Sequence, residues 1–372
     1  MKKIVLSALL MASASALAGG GYVNGAPASR AAAPLSAPVT APTGAATIPA
    51  LPLTKTAAEG AAAAQVTPAQ ARRFLLTAPS GASVTLRQLT RVTVELEDVQ
   101  ASGHMKEQLS SEDIAEMRRS FAQGVQAAQE EIEPTITVMS VGQVFPGGAR
   151  ELISSTRVPL LAEAGAEAPT IRVIQRVEPD GRIGKTRIES SDPEMQALFA
   201  DFSEKELAEI GGNDNALYGL PLVAGTSRTT TSTVDTQNLL GSQVVSAASM
   251  DEGATAQEVM ELLSSLKTSP LTLTNTVTYG GTDAQGQHLF RIISRAQPWQ
   301  LALNRDGQSF DLTVLDMTQN QTATYRADGL PQSVSSDTAV RTRAKLSTTG
   351  KEAGSLTMTF RMNIHMETEP QR

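Results

Sequence analysis

The 372-residue chain contains no cysteine. That excludes thiol nucleophiles, Fe–S clusters, Cys-ligated zinc and disulfides, so the fold must be held by its core alone. Aromatic residues are nearly as scarce, at 3%, and Trp299 is the single tryptophan. Single-stranded nucleic acids are usually gripped by aromatic platforms on which bases stack, and the scarcity counts against such a site and against a sugar-stacking one. With 31 Lys and Arg against 38 Asp and Glu, the net charge is −7, which does not suit a broad basic surface for nucleic acid. The three histidines, His104, His288 and His365, are far apart, and there is no H-E-x-x-H motif for a zinc hydrolase. No G-x-S-x-G nucleophile turn occurs either.

Long apolar runs are missing except for one short run at the start. Lys2 and Lys3 precede the compact stretch Ile4–Ala12, and small residues follow to Ala16-Leu17-Ala18. This order reads as a secretory leader over residues 1–18, since a membrane span needs about 20 apolar residues. Leu17-Ala18-Gly19-Gly20 resembles a lipoprotein processing site in which Gly20 stands where the lipid-bearing cysteine is expected. The expectation is an exported protein, periplasmic, in the cell envelope or extracellular, with no covalent lipid anchor and no integral membrane segment in the mature chain.

Residues 19–66 are rich in Ala and Pro, and only Arg30, Lys55 and Glu59 are charged. Such a stretch buries too little apolar surface to offset its ordering entropy, and reads as a disordered tether. Beyond it, Val84, Leu86, Val92, Val94 and Leu96 alternate with polar residues, the period of a half-buried strand. Ser110 with Asp113 opens a helical stripe of Ile114, Met117, Phe121, Val125, Ala128 and Ile132, which Pro134 ends. Strands are expected at Thr135–Phe145, Arg150–Val158, Ile171–Val177 and Arg182–Glu189, the last pair joined at Pro179-Asp180-Gly181. A helix starts at Asp192-Pro193. The second half gives strands at Thr226–Thr236, Leu271–Tyr279, His288–Ser294, Ser309–Thr318, Thr338–Leu346 and Leu356–Met366, with a capped helix from Thr255 and Glu258.

The halves run in parallel. Gly81 and Gly225 are 144 residues apart, the capped helices at Ser110 and Thr255 are 145 apart, and Asp180-Gly181 and Asp328-Gly329 are 148 apart. The spacing suggests duplication of one strand–helix–strands–hairpin unit. Mixed α and β chains also produce such coincidences, and Asp306-Gly307 does not fit the offset. The expected class is α+β: curved, half-barrel-like antiparallel sheet with a few covering helices. The expected divisions are a first unit over 67–212, a second over 213–368 and a tail at 369–372.

Chemical motifs are fragmentary. Gly184-Lys185-Thr186 resembles the end of a phosphate loop, but Pro179 occupies the place of its first glycine. Ser264-Ser265-Leu266-Lys267 matches S-x-x-K without its companion motifs, which leaves a serine hydrolase as the least favoured reading. Glu130, Glu131 and Glu133 lack a calcium-loop pattern and read as a solvated helix end. No catalytic residue, metal site or cofactor is assigned.

One face stands out. Met358, Phe360, Met362, Ile364 and Met366 share one side of the last strand. Methionine is adaptable and often lines surfaces for varied apolar partners, so these five residues are the candidate ligand-binding face. The bland alternative is ordinary core beneath a covering helix, and a half-buried strand must look like this in either case.

The turn segments Val177–Gly181 and Tyr325–Gly329, set among long amphipathic strands, give residues 70–368 a pattern that resembles the half-barrel carriers of bacterial envelopes, the lipoprotein carriers and their outer-membrane receptors. It also resembles a set of uncharacterised exported bacterial domains. The first resemblance implies a curved sheet that wraps a helix and holds acyl chains. Function is therefore expected to be non-enzymatic: binding of a lipid-like ligand or an envelope protein in a sheet-lined concavity, or a structural role in the envelope without a small ligand.

Overall fold

The computed structural model of the chain describes residues 71–130, 134–157, 168–193, 196, 199, 217–234, 236, 265–305, 307–350 and 353–371. The leader at 1–18, the tether at 19–66, Ser264 and nearly all of the helices expected from Asp192 and Thr255 lie outside these residues. In chain order the strands are β1 (Ser83–Gly103), β2 (Thr135–Val144), β3 (Arg150–Arg157), β4 (Thr170–Val177), β5 (Ile183–Ser190), β6 (Ser227–Val234), β7 (Lys267–Thr268), β8 (Leu271–Thr282), β9 (His288–Ala296), β10 (Trp299–Arg305), β11 (Gln308–Tyr325), β12 (Pro331–Thr348) and β13 (Gly354–Pro370). Two helices, α1 (His104–Gln108) and α2 (Ser111–Glu130), follow β1.

All thirteen strands join one curved, open, antiparallel sheet: eleven run in the order β5-β4-β3-β2-β1-β13-β12-β11-β9-β8-β6, and off this path β10 pairs with β11 and β7 with β10. The expected class, mainly antiparallel sheet with few helices, is what the chain forms. The sheet crosses the division drawn at residues 212 and 213: β1 pairs along its length with β13, from Leu86 opposite Pro370 to Gly103 opposite Gly354. Glu369 and Pro370, expected in a tail, thus lie in the last strand. Strand β10, not anticipated, continues the path of β9 along β11 after a break at Gln297-Pro298, where proline has no N–H for the ladder.

Alternation along each strand puts apolar side chains on one face, where they form two buried clusters. One gathers Leu86, Met139, Val141, Leu152, Val177, Val277, Tyr279, Phe290, Ile292, Tyr325 and Val334 under Phe74 and Tyr218. The other gathers Leu96, Leu266, Leu273, Trp299, Leu312, Val314, Met317, Val340, Phe360, Met362 and Ile364. The opposite face is polar. Thr229, Thr231 and Thr233 meet Thr276, Thr274 and Thr272 hydroxyl to hydroxyl. Glu97, the extra residue of a bulge in β1, accepts hydrogen bonds from Nε of Arg341 and of Arg361, each at 2.6 Å. Those donors, Arg361 first, hold its carboxyl below the usual carboxylate range.

Helix α2 starts where its cap predicts. The Asp113 N–H donates to Ser110 Oγ at 3.1 Å, and the Ser110 N–H donates to Asp113 Oδ2 at 2.7 Å, a reciprocal box.

The two halves repeat each other's hydrogen bonds. Ala82 N–H donates to the Pro79 carbonyl as Thr226 N–H does to the Val223 carbonyl. The β2–β3 turn closes by Phe145 N–H to Ala149 O and Gly148 N–H to Phe145 O; the β8–β9 turn closes by Asp283 N–H to Gln287 O and Gly286 N–H to Asp283 O. The Asp-Gly turns match equally: Glu178 N–H to Arg182 O and Gly181 N–H to Glu178 O, against Arg326 N–H to Leu330 O and Gly329 N–H to Arg326 O. The first and last of these equivalences lie 144 and 148 residues apart, as the sequence spacing has it, and the β-turn pair lies 138 apart; the two halves are alike in these turns and share one sheet.

The repeats also interlock. The segment leading into β1 and the segment leading into β6 cross one another: Phe74 N–H donates to Leu220 O at 2.8 Å and Gly219 N–H to Phe74 O at 2.7 Å. The rings of Phe74 and Tyr218 stack at 5.5 Å. Each lead is then held by the other repeat's Asp-Gly turn. Thr77 and Ala78 N–H both donate to the Asp328 carbonyl, while Gly181 lies directly against the Gly219 backbone.

Candidate functional site

Between the two apolar clusters the inner face turns polar. Register aligns Asn275 on β8 with Ser294 on β9, Ser294 with Gln319 on β11, and Gln319 with Thr338 on β12. Thr338 in turn faces Ile364 on β13. The polar members are buried: Asn275 is 4% exposed, Ser294 1% and Thr338 2%. A neighbouring row carries Gln321 and Ser336, and Gln319 Nε2 donates to Ser336 Oγ at 2.9 Å. Further along, Gln88 Nε2 reaches Thr90 Oγ1 and Met366 Sδ. No Asp, Glu, Lys, Arg or His stands in the row from Asn275 to Thr338.

Three atoms of this row, Asn275 Oδ1, Ser294 Oγ and Thr338 Oγ1, have no hydrogen-bond partner among the described residues. A buried polar atom left so costs about 1–3 kcal/mol, and native proteins tolerate few of them without a reason. The first repeat supplies the contrast. There Thr137 and Thr156 occupy the matching places on β2 and β3, and their hydroxyls bond each other at 3.0 Å. The same position is self-satisfied in one repeat and unsatisfied in the other.

Of the methionine face read from the sequence, Phe360, Met362 and Ile364 are buried in the second apolar cluster, and Met358 and Met366 are half-buried against it. Their neighbours in register are Leu96, Val94 and Val92 on β1 and Thr342, Val340 and Thr338 on β12. The centre of this face is packed. Its end reaches the polar row, where Ile364 meets Thr338 and Met366 meets Ser336. Asn275, Ser294, Gln319 and Thr338 were missed in the sequence. Their signal is polar residues at positions where strand parity demands apolar ones.

The histidines are spoken for. His288 Nδ1 lies 3.0 Å from Tyr279 Oη, with Phe74 edge-on to its ring, and burial lowers its pKa. His365 lies between Asp337 at 2.7 Å and Glu367 at 3.2 Å; the bond to Asp337 raises its pKa. His104 Nε2 meets Gln108. None of these partners is a serine or threonine hydroxyl that a histidine could activate. Among the described residues no group of His, Asp and Glu is arranged to hold a metal, and no helix is long and apolar enough to cross a membrane.

A groove of 590 Å³ lies on the opposite face, walled by Leu89, Leu289, Arg291, Glu367 and Glu369. It is open to solvent, and Leu289 in its wall is 37% exposed. The buried row makes the stronger site because its polar atoms are both desolvated and unpartnered, whereas groups in the groove can bond to water.

No protein-family model matches the chain, and no curated protein matches it. Among solved structures, a loop L8 deletion variant of OmpT, an outer membrane protein of Vibrio cholerae, aligns over 77% of this chain and all of its own at 8% identity. With a TM-score of 0.12 the two do not share a demonstrated fold.

Proposed function

We propose that this is an exported, non-enzymatic protein of the cell envelope that binds an amphipathic, lipid-like ligand on the inner face of its sheet. The observation that carries the reading is the buried row Asn275, Ser294 and Thr338, whose unpartnered polar atoms lie between two apolar clusters. A molecule with a polar middle or end and an apolar tail would satisfy those atoms and bury its tail beside Ile364 and Met366. The leader read at residues 1–18 supports export, and the half-barrel resemblance supports the ligand class. The polar outer face, with its threonine pairs and the Glu97–Arg341–Arg361 network, suits water rather than lipid tails on that side.

The test is organic extraction of the purified protein followed by mass spectrometry of the extract, with native mass spectrometry of the protein before and after. The reading expects a non-protein mass that extraction removes. An identical protein mass before and after, together with no binding of an added apolar dye, overturns it. That outcome favours the second reading, a structural envelope component, for which the packed centre of the Met358–Met366 face already speaks.

A further inference from the structure

We infer that the ligand's polar part is uncharged and carries hydroxyl-type hydrogen-bond donors, as in a monoacylglycerol, rather than a carboxylate or phosphate. This rests on the interior binding reading and concerns what the row selects. The side chains in register, Asn275, Ser294, Gln319 and Thr338, carry no charge, and neither do Gln321 and Ser336 beside them. Asn275 Oδ1 can only accept, and the two hydroxyl oxygens can accept as well as donate, so the row calls for at least one donor from the ligand.

An anion brought here would lose its hydration without gaining a counter-charge from the described residues of the row, which costs several kcal/mol even after relaxation. Arg295, next to Ser294, has the parity of the outer face; the inner-face cation closest in register is Arg228 on edge strand β6, which pairs with Val277 one row away. Its Nη1 donates to the Tyr218 carbonyl at 2.9 Å, and the charge of Arg73 bears on it. It is engaged with the lead segment rather than with the row. A neutral head with hydroxyls pays far less to leave water and can donate to Asn275 Oδ1 while exchanging hydrogen bonds with Ser294 and Thr338.

The contrast with the first repeat argues the same way. Where Thr137 and Thr156 bond each other, a ligand would have to break a bond to enter. Asn275 and Ser294, facing each other at the matching place, leave acceptors ready. Thr186 Oγ1 on β5 is also buried and unpartnered, but of the two matching strand pairs only the one with Asn275 and Ser294 has its polar atoms free for a guest.

The experiment uses the full-length mature protein after organic extraction, with 1-monooleoylglycerol and oleate as probes in displacement of an apolar fluorescent dye. Monooleoylglycerol is expected to displace the dye at concentrations at least tenfold below those of oleate. Ser294→Ala and Thr338→Val should each weaken monooleoylglycerol about fivefold, the loss of one hydrogen bond, and leave oleate unchanged. Equal displacement by oleate would overturn the uncharged-ligand inference while leaving interior binding intact. A monooleoylglycerol preference that neither substitution alters would overturn the assignment of the row. Displacement by neither probe would overturn the interior binding reading itself.

Discussion

Thr338 shows most plainly what the inner face requires of single residues. Its hydroxyl is buried on β12 with no described partner, at a place where the neighbouring Val340 and Val334 are plain core. Valine has nearly the same shape without the hydroxyl. Replacing Thr338 by Val in the ligand-free protein is expected to raise stability by about 1 kcal/mol, read from urea midpoints, because the desolvated hydroxyl is removed and no bond is lost. A decrease of that size would mean the hydroxyl is satisfied within the fold. The histidines make a second prediction at this scale. The pKa of His365 is raised from 6.5 by Asp337, so its contribution is complete below 6.5 and is lost as pH climbs through the folded-state value. The pKa of His288 is lowered from 6.5 by burial, so its contribution is complete above 6.5 and is lost as pH falls towards the folded-state value. Between pH 5.5 and 8 stability should therefore peak near pH 6.5. His365→Ala should flatten the alkaline side alone, as denaturation midpoints across that range will show. The residues of the row were illegible in the sequence one by one, since a Ser or Thr in a strand is ordinary and only its depth makes it informative.

Among the elements, most strands were legible from alternation, and the ends of β11 and β12 were not. The last strand, with Leu356, Phe360, Met362 and Ile364 inward, was read over Leu356–Met366 and runs from Gly354 to Pro370. β11 was expected to end at Thr318 and runs to Tyr325; β12 was expected to begin at Thr338 and begins at Pro331. The missed stretches contain Gln319, Gln321 and Ser336, inward positions occupied by polar side chains. A polar inner residue weakens the contrast between the two parities, which blurred the ends of β11 and β12, whereas β8 and β9, which carry Asn275 and Ser294, were read. The α2 cap was legible because its chemistry is local to four residues. Ser110→Ala removes the acceptor of the Asp113 N–H and should cost about 1 kcal/mol, with a matching loss of helical circular dichroism on mild heating. No loss would mean that packing against β1 alone sets the start of the helix.

For the whole molecule, the spacing of turns showed that the halves are alike but could not disclose how they associate. Two stacked domains and one shared sheet predict the same offsets. The difference lies in long-range pairings, β1 with β13 and the crossing of Phe74 with Leu220, which no local pattern encodes. The interlock makes a prediction of its own. Gly181 has φ +86 and touches the Gly219 backbone, and Gly329 has φ +92 and would place an added Cβ 2.6 Å from Leu75 O; Gly225 has φ +86 with open space around it. Alanine at Gly225 should cost only the conformational penalty, about 1–2 kcal/mol. Gly181→Ala adds a backbone collision between repeats and should cost at least twice that in denaturant titrations. Equal losses would mean the turns do not clamp the leads.

The row Asn275–Ser294–Thr338 is proposed to hold the polar part of a bound amphipath. Electron density at those three atoms, from crystals of protein purified without extraction, tests it most directly. Elongated density is expected that begins within hydrogen-bond distance of Asn275 Oδ1, Ser294 Oγ and Thr338 Oγ1 and continues as a tail along Ile364 and Met366. Separate, spherical water peaks at the row, with side chains filling the space beyond, would contradict it.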